Sequence, residues 1–224
     1  EWMWQYAGRV AVRKGPVEVS LTDLSGFDGR CDAVYFTPEQ GDVPPADSGE
    51  LAAFRRRMLH IPETPQRVES FDFVVVGGGI AGMCAAVSAS RLGCRVALVN
   101  DRPVLGGNNS SEIRVHLGGV IEIGPNKGLG RMIREFGHSR GGNAQPAGNY
   151  EDAKKEEFIA AEKNVTLFAG CRAVAVNTTG GRIASVVVRH IETEEETLLE
   201  APLFADCTGD GTVGFLAGAD FRMG

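Results

Sequence analysis

Three glycines at a fixed spacing are the residues of this sequence whose pattern points most directly to a chemistry. In Gly77-x-Gly79-x-x-Gly82, the first glycine permits a tight turn, the second permits close approach of a pyrophosphate, and the third permits close packing of a helix on a strand. A helix that begins with Ile80 and Ala81 would direct its N-terminal N–H groups and its dipole at the phosphates. The spacing therefore predicts that these five residues bind a dinucleotide.

The elements around this motif are those that a dinucleotide-binding turn requires. Residues 71–76 form an apolar run typical of a parallel strand that is covered on both faces. Residues 80–92 predict a helix with small side chains, and residues 95–99 predict a second strand. The ribose-binding acid is expected about 20 residues after the first glycine, at the end of that strand. Either Asn100 or Asp101 is therefore expected to hold the ribose.

Composition limits the classes of function. The 224 residues include 29 acidic and 23 basic side chains, for a net charge of −6, which predicts one or two soluble globular domains and argues against a nucleic-acid groove. No apolar run approaches the ~20 residues of a membrane span. The cysteines lack metal-ligand spacing, so we expect buried thiols and no metal. They are Cys31, Cys84, Cys94, Cys171 and Cys207. The compartment is left open.

The first 40 residues predict strands and little helix. Three runs show the alternation of strands, at residues 2–6, 17–21 and 33–36. Three strands alone would leave an exposed edge, so we expect upstream sequence to be missing. Trp2, Trp4 and Tyr6 fall on one face, which we interpret as core, with a carbohydrate-stacking site as the alternative.

The rest of the chain alternates between helix and strand patterns. Residues 41–69 predict a linker with one short helix over 50–60. A helix over 150–163 and a strand over 165–168 follow. Three further strand-like runs are separated by a Gly-Gly turn and an acidic turn, and they predict a three-stranded meander. They are residues 173–176, 183–190 and 197–199.

Two further glycine-rich segments follow the first motif, and the three together resemble a known superfamily. VVVGGGIAGMCAAVSASRLGCRVALVND, RPVLGGN and DCTGDG are similar to the FAD-dependent oxidoreductases of the glutathione-reductase type across residues 71–224. The resemblance implies non-covalent FAD rather than NAD, with the second segment beside the pyrophosphate and ribityl chain. It assigns the cofactor further residues, namely Arg102, Gly106, Gly107, Ala173, Thr208, Gly209 and Asp210. One departure is that Asn100 stands where many members have Glu.

A closer resemblance concerns the ends of the chain. NDRPVLGGNNSSEIRVH, DCTGDGTVGFLAGADFRMG and GPVEVSLTDLSGFDGRCDAVYFTP are similar to a little-characterised group of FAD-dependent oxidoreductases, some of which carry β-sandwich modules. This resemblance implies an α/β, Rossmann-type FAD-binding domain over residues 70–224, incomplete at its C-terminus, with a three-stranded β-meander crossover. Residues 1–40 would be the tail of an all-β, sandwich-like module.

Polar side chains after the second glycine pair are the candidates for contacts to the flavin. The resemblance implies that Asn108, Ser110 and Ser111 bind the phosphate, the ribityl chain or the flavin ring. Arg114 and His116 alternate along the chain, so we expect them on one face.

The chemistry expected of those last two residues follows from charge and protonation. The cation of Arg114 would stabilise reduced flavin, and His116 would carry a proton. The alternatives are an ion pair between Glu112 and Arg114 and a purely structural His116.

The stretch 118–149 is rich in glycine and contains a helix pattern, interpreted as a surface helix with a substrate-facing lid as the alternative. Its basic residues are Lys127, Arg131, Arg134, His138 and Arg140. No cysteine pair suits a disulfide reductase. The sequence therefore predicts an FAD-dependent oxidoreductase that acts on an unidentified small molecule. The alternatives are a carbohydrate-binding protein with a nucleotide-fold remnant and an NAD-binding Rossmann enzyme.

Overall fold

The computed structural model describes residues 3–22, 24, 26, 31–119, 122–137 and 142–222. The chain divides into two compact units, Glu1–His60 and Ile61–Gly224. The boundary lies within the predicted linker, and all three glycine-rich segments belong to the second unit.

Five helices and eight strands make up the described elements. The helices are α1 (Ser48–Met58), α2 (Ile80–Arg91), α3 (Arg131–Phe136), α4 (Asp152–Ala160) and α5 (Thr212–Leu216). The strands are β1 (Gln66–Arg67), β2 (Phe73–Val76), β3 (Val96–Asn100), β4 (Val165–Ala169), β5 (Cys171–Thr179), β6 (Arg182–His190), β7 (Glu196–Glu200) and β8 (Leu203–Asp206). A 3₁₀ turn, Ala147–Tyr150, precedes α4, where the sequence predicted one continuous helix from 150.

A parallel sheet in the order β4-β3-β2-β8 supports the glycine-rich turns. Val76 of β2 lies opposite Val99 of β3 on one side and Asp206 of β8 on the other. All five residues of β3 are buried, as expected for a strand covered on both faces. The predictions of a parallel strand, a helix and a second strand around the motif are confirmed, with bounds that differ by one or two residues.

The predicted meander is also confirmed. β5, β6 and β7 pair antiparallel in sequence order, and a Gly180-Gly181 turn with positive φ at both residues connects the first two strands. The sequence did not predict β1, whose two residues lie in the expected linker and pair parallel with β7. This short strand completes a four-stranded sheet in the order β1-β7-β6-β5.

Two apolar clusters lie on opposite faces of the parallel sheet. Because side chains alternate along a strand, Val74 and Val76 face the meander, whereas Val75 faces the helices. The helix-side cluster includes Met83 of α2, and Phe136 of α3 lies 4.9 Å from the ring of Phe158 on α4. The second unit therefore has three layers: the meander, the parallel sheet and the helices.

Helix α3 lies at the surface but is anchored in this core. Phe136 is fully buried, and Arg134 forms a two-bond ion pair with Glu122 at 2.9 Å. Because an anchored helix does not behave as a loose cover, these contacts favour the surface-helix interpretation. His138 and Arg140 lie outside the described residues.

The first unit is built around α1. Asp47 caps this helix by accepting hydrogen bonds from the N–H groups of Gly49 (2.9 Å) and Glu50 (3.1 Å). Phe54 is buried and lies edge-on to the ring of Tyr35, with ring centres 5.2 Å apart. The predicted short helix is therefore confirmed, two residues earlier than expected.

The three strands predicted near the start do not form within described residues 3–22, 24, 26 and 31–47. A strand needs hydrogen-bonding partners for its backbone, and no strand pairing occurs in these ranges, so Val17 and Leu21 stay exposed. The prediction of these strands is wrong for the described residues. The assignment of residues 1–40 to the tail of an all-β module stays a prediction.

The cysteines are less uniformly buried than predicted. All five thiols are free; Cys171 is buried, Cys31 is exposed and the other three are half-buried. Burial raises the pKa of the Cys84 thiol, which disfavours the reactive thiolate. Within the described part of the chain, no helix combines the length and apolar character needed to cross a membrane.

Candidate functional site

Three turns that are far apart in sequence meet at one edge of the parallel sheet. They follow β2, β3 and β8 at the carboxyl ends of these strands, and they comprise residues 77–82, 100–111 and 207–211. β2 lies between the other two strands, so the chain moves to one side after β2 and reaches the other side only with β8. Ligands of open α/β sheets bind at such a reversal of strand order.

Two glycines of the first motif are required by the protein itself. Gly77 has φ +111°, and a Cβ on it would lie 2.3 Å from the carbonyl oxygen of Cys207. A Cβ on Gly82 would lie 1.9 Å from the carbonyl oxygen of Gly77. Both positions therefore exclude any side chain, the first at the turn and the second where α2 packs against it.

Gly79 differs from these two glycines. Its φ of −69° and ψ of 176° are open to any residue, and a Cβ would meet no protein atom closer than the Cα of Gly107 at 3.9 Å. Neither backbone conformation nor internal packing requires glycine here. The glycine instead leaves room above the backbone, as close approach of a ligand requires.

The second glycine pair forms a β-turn that touches the first motif. The N–H of Asn109 donates to the carbonyl of Gly106 (3.1 Å), and Gly107 has φ +59° at the first central position. The N–H of Gly106 donates to the carbonyl of Gly78 (2.9 Å). A Cβ on Gly107 would lie 3.1 Å from the Cα of Gly79, so the two turns approach each other through glycines.

The donors at this edge fit the pyrophosphate of FAD. Within the described part of the chain, the N–H groups of Gly107 and Asn108 donate to no protein acceptor. Helix α2 begins at Ile80 without a side-chain cap, so its first N–H groups, including that of Ala81, face the room above Gly79. Backbone N–H groups with space around them are the usual cradle for phosphate.

Asn100 has a structural task at the end of β3. It is 5% exposed, and its amide nitrogen donates to the carbonyls of Arg102 (2.8 Å) and Val104 (3.2 Å). A Cβ on Gly78 would lie 2.4 Å from its Oδ1. Because the amide holds the turn that leads to the second glycine pair, the exposed carboxylate of Asp101 is better placed to meet a ribose.

Two of the predicted flavin contacts are turned into the protein. The hydroxyl of Ser110 is buried and donates to the carbonyl of Gly107 (2.7 Å). The N–H of Ser111 donates to the carboxylate of Asp152 (3.2 and 3.3 Å). These residues fix the shape of the turn, whereas Asn108 is exposed on it.

Arg114 and His116 do not lie on a strand, so the predicted alternation onto one face is wrong. Arg114 has φ +62°, a left-handed conformation that breaks an extended chain, and its Nε donates to the carbonyl of Ser111 (2.9 Å). The ring Nδ1 of His116 lies 2.7 Å from the side-chain oxygen of Asn143. Both side chains are exposed.

The alternative ion pair for Arg114 is also not the one that forms. Glu112 pairs with Arg102 at 3.1 Å, because the turn brings residue 102 back beside residue 112. Arg102, predicted to bind the cofactor, is thus an exposed partner in a surface ion pair. Ala173 is buried within β5 in the core cluster.

The sequence analysis missed a buried lysine below the second turn. Lys155 of α4 is fully buried, and its ammonium donates to the carbonyls of Asn109 and Tyr150 and approaches Asp152. Burial lowers the pKa of Lys155, and the charge of Asp152 opposes that effect. The only signal in the sequence is a lysine at the i+3 position from an aspartate.

The third turn is organised by one carboxylate. Asp206 accepts hydrogen bonds from the N–H and hydroxyl of Thr208 and from the N–H groups of Val213 (2.8 Å) and Gly214 (3.0 Å). Burial alone would raise the pKa of Asp206, but these hydrogen bonds lower it below its usual value. Gly209, with φ +84°, and Asp210 are exposed on the turn that results.

We expect Asp206→Asn to reduce stability at neutral pH by about 1–2 kcal/mol, because a charged acceptor of four donors is lost. A folded-state pKa below the unfolded value means that the carboxylate stabilises the fold above pH ~4 and loses this effect as pH falls through the folded-state value. Urea unfolding at pH 7, 5 and 3 should therefore show the difference from wild type shrinking with acid. Asp210→Asn on the same turn is the control. An equal difference at all three pH values would contradict this role.

Comparisons with known proteins agree with this geometry. The soluble pyridine nucleotide transhydrogenase of Ectopseudomonas mendocina (strain ymp) is 40% identical over 69 residues, which are 31% of this chain and 13% of that protein. The Thermovibrio ammonificans THI4 structure has a TM-score of 0.47 and 20% identity, covering 77% of this chain and 69% of its own. A geranylgeranyl bacteriochlorophyll reductase-like protein from Thermoplasma acidophilum has a TM-score of 0.44 and 18% identity, covering 69% and 43%.

The match to the transhydrogenase thus spans about an eighth of that protein's length. A family-level match is more extensive, since the FAD dependent oxidoreductase family matches residues 72–224. This range contains all three turns and covers well over half of the chain. The chain therefore belongs to the FAD dependent oxidoreductase family, and its cofactor is FAD.

Proposed function

We propose that the three turns hold FAD without a covalent bond and that the full-length protein uses it in a redox step on a small organic molecule. The observation that carries this proposal is the room above Gly79, between an uncapped helix N-terminus and the second glycine turn. The family match over residues 72–224 supports FAD, rather than NAD, as the resident cofactor.

Each turn has a separate binding task in this proposal. The N-terminal N–H groups of α2 and the N–H groups of Gly107 and Asn108 bind the pyrophosphate. The carboxylate of Asp101 accepts hydrogen bonds from the adenosine ribose, since the amide of Asn100 holds the neighbouring turn. The third turn, Thr208 to Asp210, contacts the ribityl side of the cofactor.

The chemistry itself depends on few protein groups. Bound FAD supplies the acceptor and donor of two electrons. Arg114 supplies positive charge near the cofactor, and His116, oriented by Asn143, holds or moves a proton at its ring nitrogen. Both residues are exposed at the end of the second turn, where a substrate can reach them.

The visible absorption spectrum of the purified full-length protein tests this proposal. We expect a flavin spectrum of about one FAD per chain, and acid precipitation should release all of the FAD, identified by mass. Protein that stays colourless after incubation with FAD, or flavin that stays with the acid pellet, would contradict non-covalent FAD binding. Anaerobic bleaching by candidate small molecules would then identify the substrate.

Pyridine nucleotides are the first electron donors to test. The reason is the name of the transhydrogenase relative, which shares a 69-residue segment with this chain at 40% identity. Anaerobic titration with NADH and with NADPH would show whether either one bleaches the flavin.

The carbohydrate-binding alternative gains no support from the described residues. The indole N–H of Trp4 donates to the carbonyl of Pro45 (3.2 Å), and Tyr6 is exposed on a segment without a strand. Trp2, the third aromatic residue of that pattern, lies outside the described residues. A carbohydrate contact through the first 40 residues stays a prediction.

A further inference from the structure

The lysine below the second glycine turn has a full set of partners and no surface exposure. The side chain of Lys155 is 0% exposed. Its ammonium donates to the carbonyl oxygens of Asn109 and Tyr150, and it lies 3.4 Å from Oδ1 of Asp152. Three protons thus meet three acceptors. A buried charge is tolerated only with such compensation.

These contacts all lead to the turn that faces the cofactor. Asn109, whose carbonyl Lys155 holds, closes the β-turn through its own N–H. Asp152 accepts the N–H of Ser111, two residues farther along. The stem of Lys155 also fills the space beside Gly106, where a Cβ would lie 2.9 Å from the lysine Cδ.

The turn is therefore held from two sides. Gly79 contacts it on the ligand side, where Gly107 approaches to the backbone, and the pair of Lys155 and Asp152 holds it from the protein interior. Without the inner contacts, the carbonyl of Asn109 would be left in a buried position without its charged donor, and the turn would have to rearrange to satisfy it.

We propose that Lys155, together with Asp152, is a positioning residue for FAD: it fixes the backbone of Gly106 to Ser111 in the conformation that receives the pyrophosphate. Lys155 does not itself touch the cofactor; it acts through the carbonyl of Asn109. This inference rests on the FAD site proposed above.

The test is the affinity of the flavin-free full-length protein for FAD, measured by quenching of flavin fluorescence. Lys155→Met keeps most of the stem and removes the ammonium, so we expect the Kd for FAD to rise at least about tenfold, as for loss of a charged hydrogen bond. At saturating FAD, the visible spectrum should match that of the wild type, since the ring environment is unchanged. A Kd within about twofold of wild type would overturn the proposal.

The matched control is Lys154→Met, the same change at the neighbouring position of α4, where the lysine is exposed and pairs with Glu151. Its Kd should not change. If Lys155→Met does not fold, Asp152→Asn decides: a Kd raised severalfold supports the proposal, and an unchanged Kd overturns it. Wild-type protein that binds no FAD would contradict the proposed function itself and not this role of Lys155.

Discussion

Gly79→Ala is expected to remove most of the bound FAD while the protein stays folded. A Cβ at this position meets no protein atom closer than 3.9 Å, so the fold has room for it. Alanine is a poorer cap residue for α2 than glycine, which costs about 1 kcal/mol of stability. The methyl group would, however, occupy the room reserved for the pyrophosphate. Such overpacking costs about 1–3 kcal/mol, equivalent to roughly 5- to 150-fold in the Kd for FAD.

Two measurements on the full-length protein check this expectation: the Kd for FAD and the urea midpoint of the flavin-free form. Gly128→Ala is the matched control, because this glycine also has an ordinary φ and an added methyl group would meet no atom within 4 Å. Its Kd should equal that of wild type. If Gly79→Ala retains FAD with wild-type affinity, the pyrophosphate does not lie over Gly79.

Gly82→Ala is expected to fail for the opposite reason, through the fold. A Cβ at Gly82 would lie 1.9 Å from the carbonyl oxygen of Gly77 and 3.3 Å from the Cβ of Cys207. The carbonyl is backbone in a turn that is already hydrogen-bonded to Val99 (2.8 Å), so it cannot move without straining that bond. Alanine gains about 1 kcal/mol of helix propensity, but we expect a net loss of at least about 3 kcal/mol.

Urea unfolding of the flavin-free protein measures this loss, and the comparison with Gly79→Ala makes it specific. The two glycines are three residues apart in one motif, yet one variant should lose cofactor and the other should lose stability. A Gly82→Ala protein with the wild-type urea midpoint would show that α2 does not pack against the turn as closely as described.

The part of the fold that the sequence predicts well is the part with local signals. The apolar run before Gly77, the small side chains of α2 and the turn at Gly180-Gly181 each fix their own element, so the parallel strands and the meander follow. β1 is different, because Gln66 and Arg67 have no strand character of their own and pair only when β7 lies beside them. Such a strand depends on tertiary contacts alone.

The failures near the site have the same origin. Arg114 adopts a left-handed conformation because its carbonyl accepts hydrogen bonds from Ala144 (2.8 Å) and Tyr150 (2.6 Å), partners about 30 residues away. Lys155 looks in sequence like its exposed neighbour Lys154. Only the packing of α4 decides which of the two is buried.

The pairing of β2 with β8 has a consequence for the newly made chain. About 130 residues separate these neighbours, so at roughly 5–20 residues per second a ribosome needs on the order of 6–25 s to deliver the second strand after the first. During that interval one edge of β2 has no partner strand and exposes unpaired backbone groups to other nascent chains. Flavin capture is then a late event of biosynthesis, because the third turn is the last to leave the ribosome.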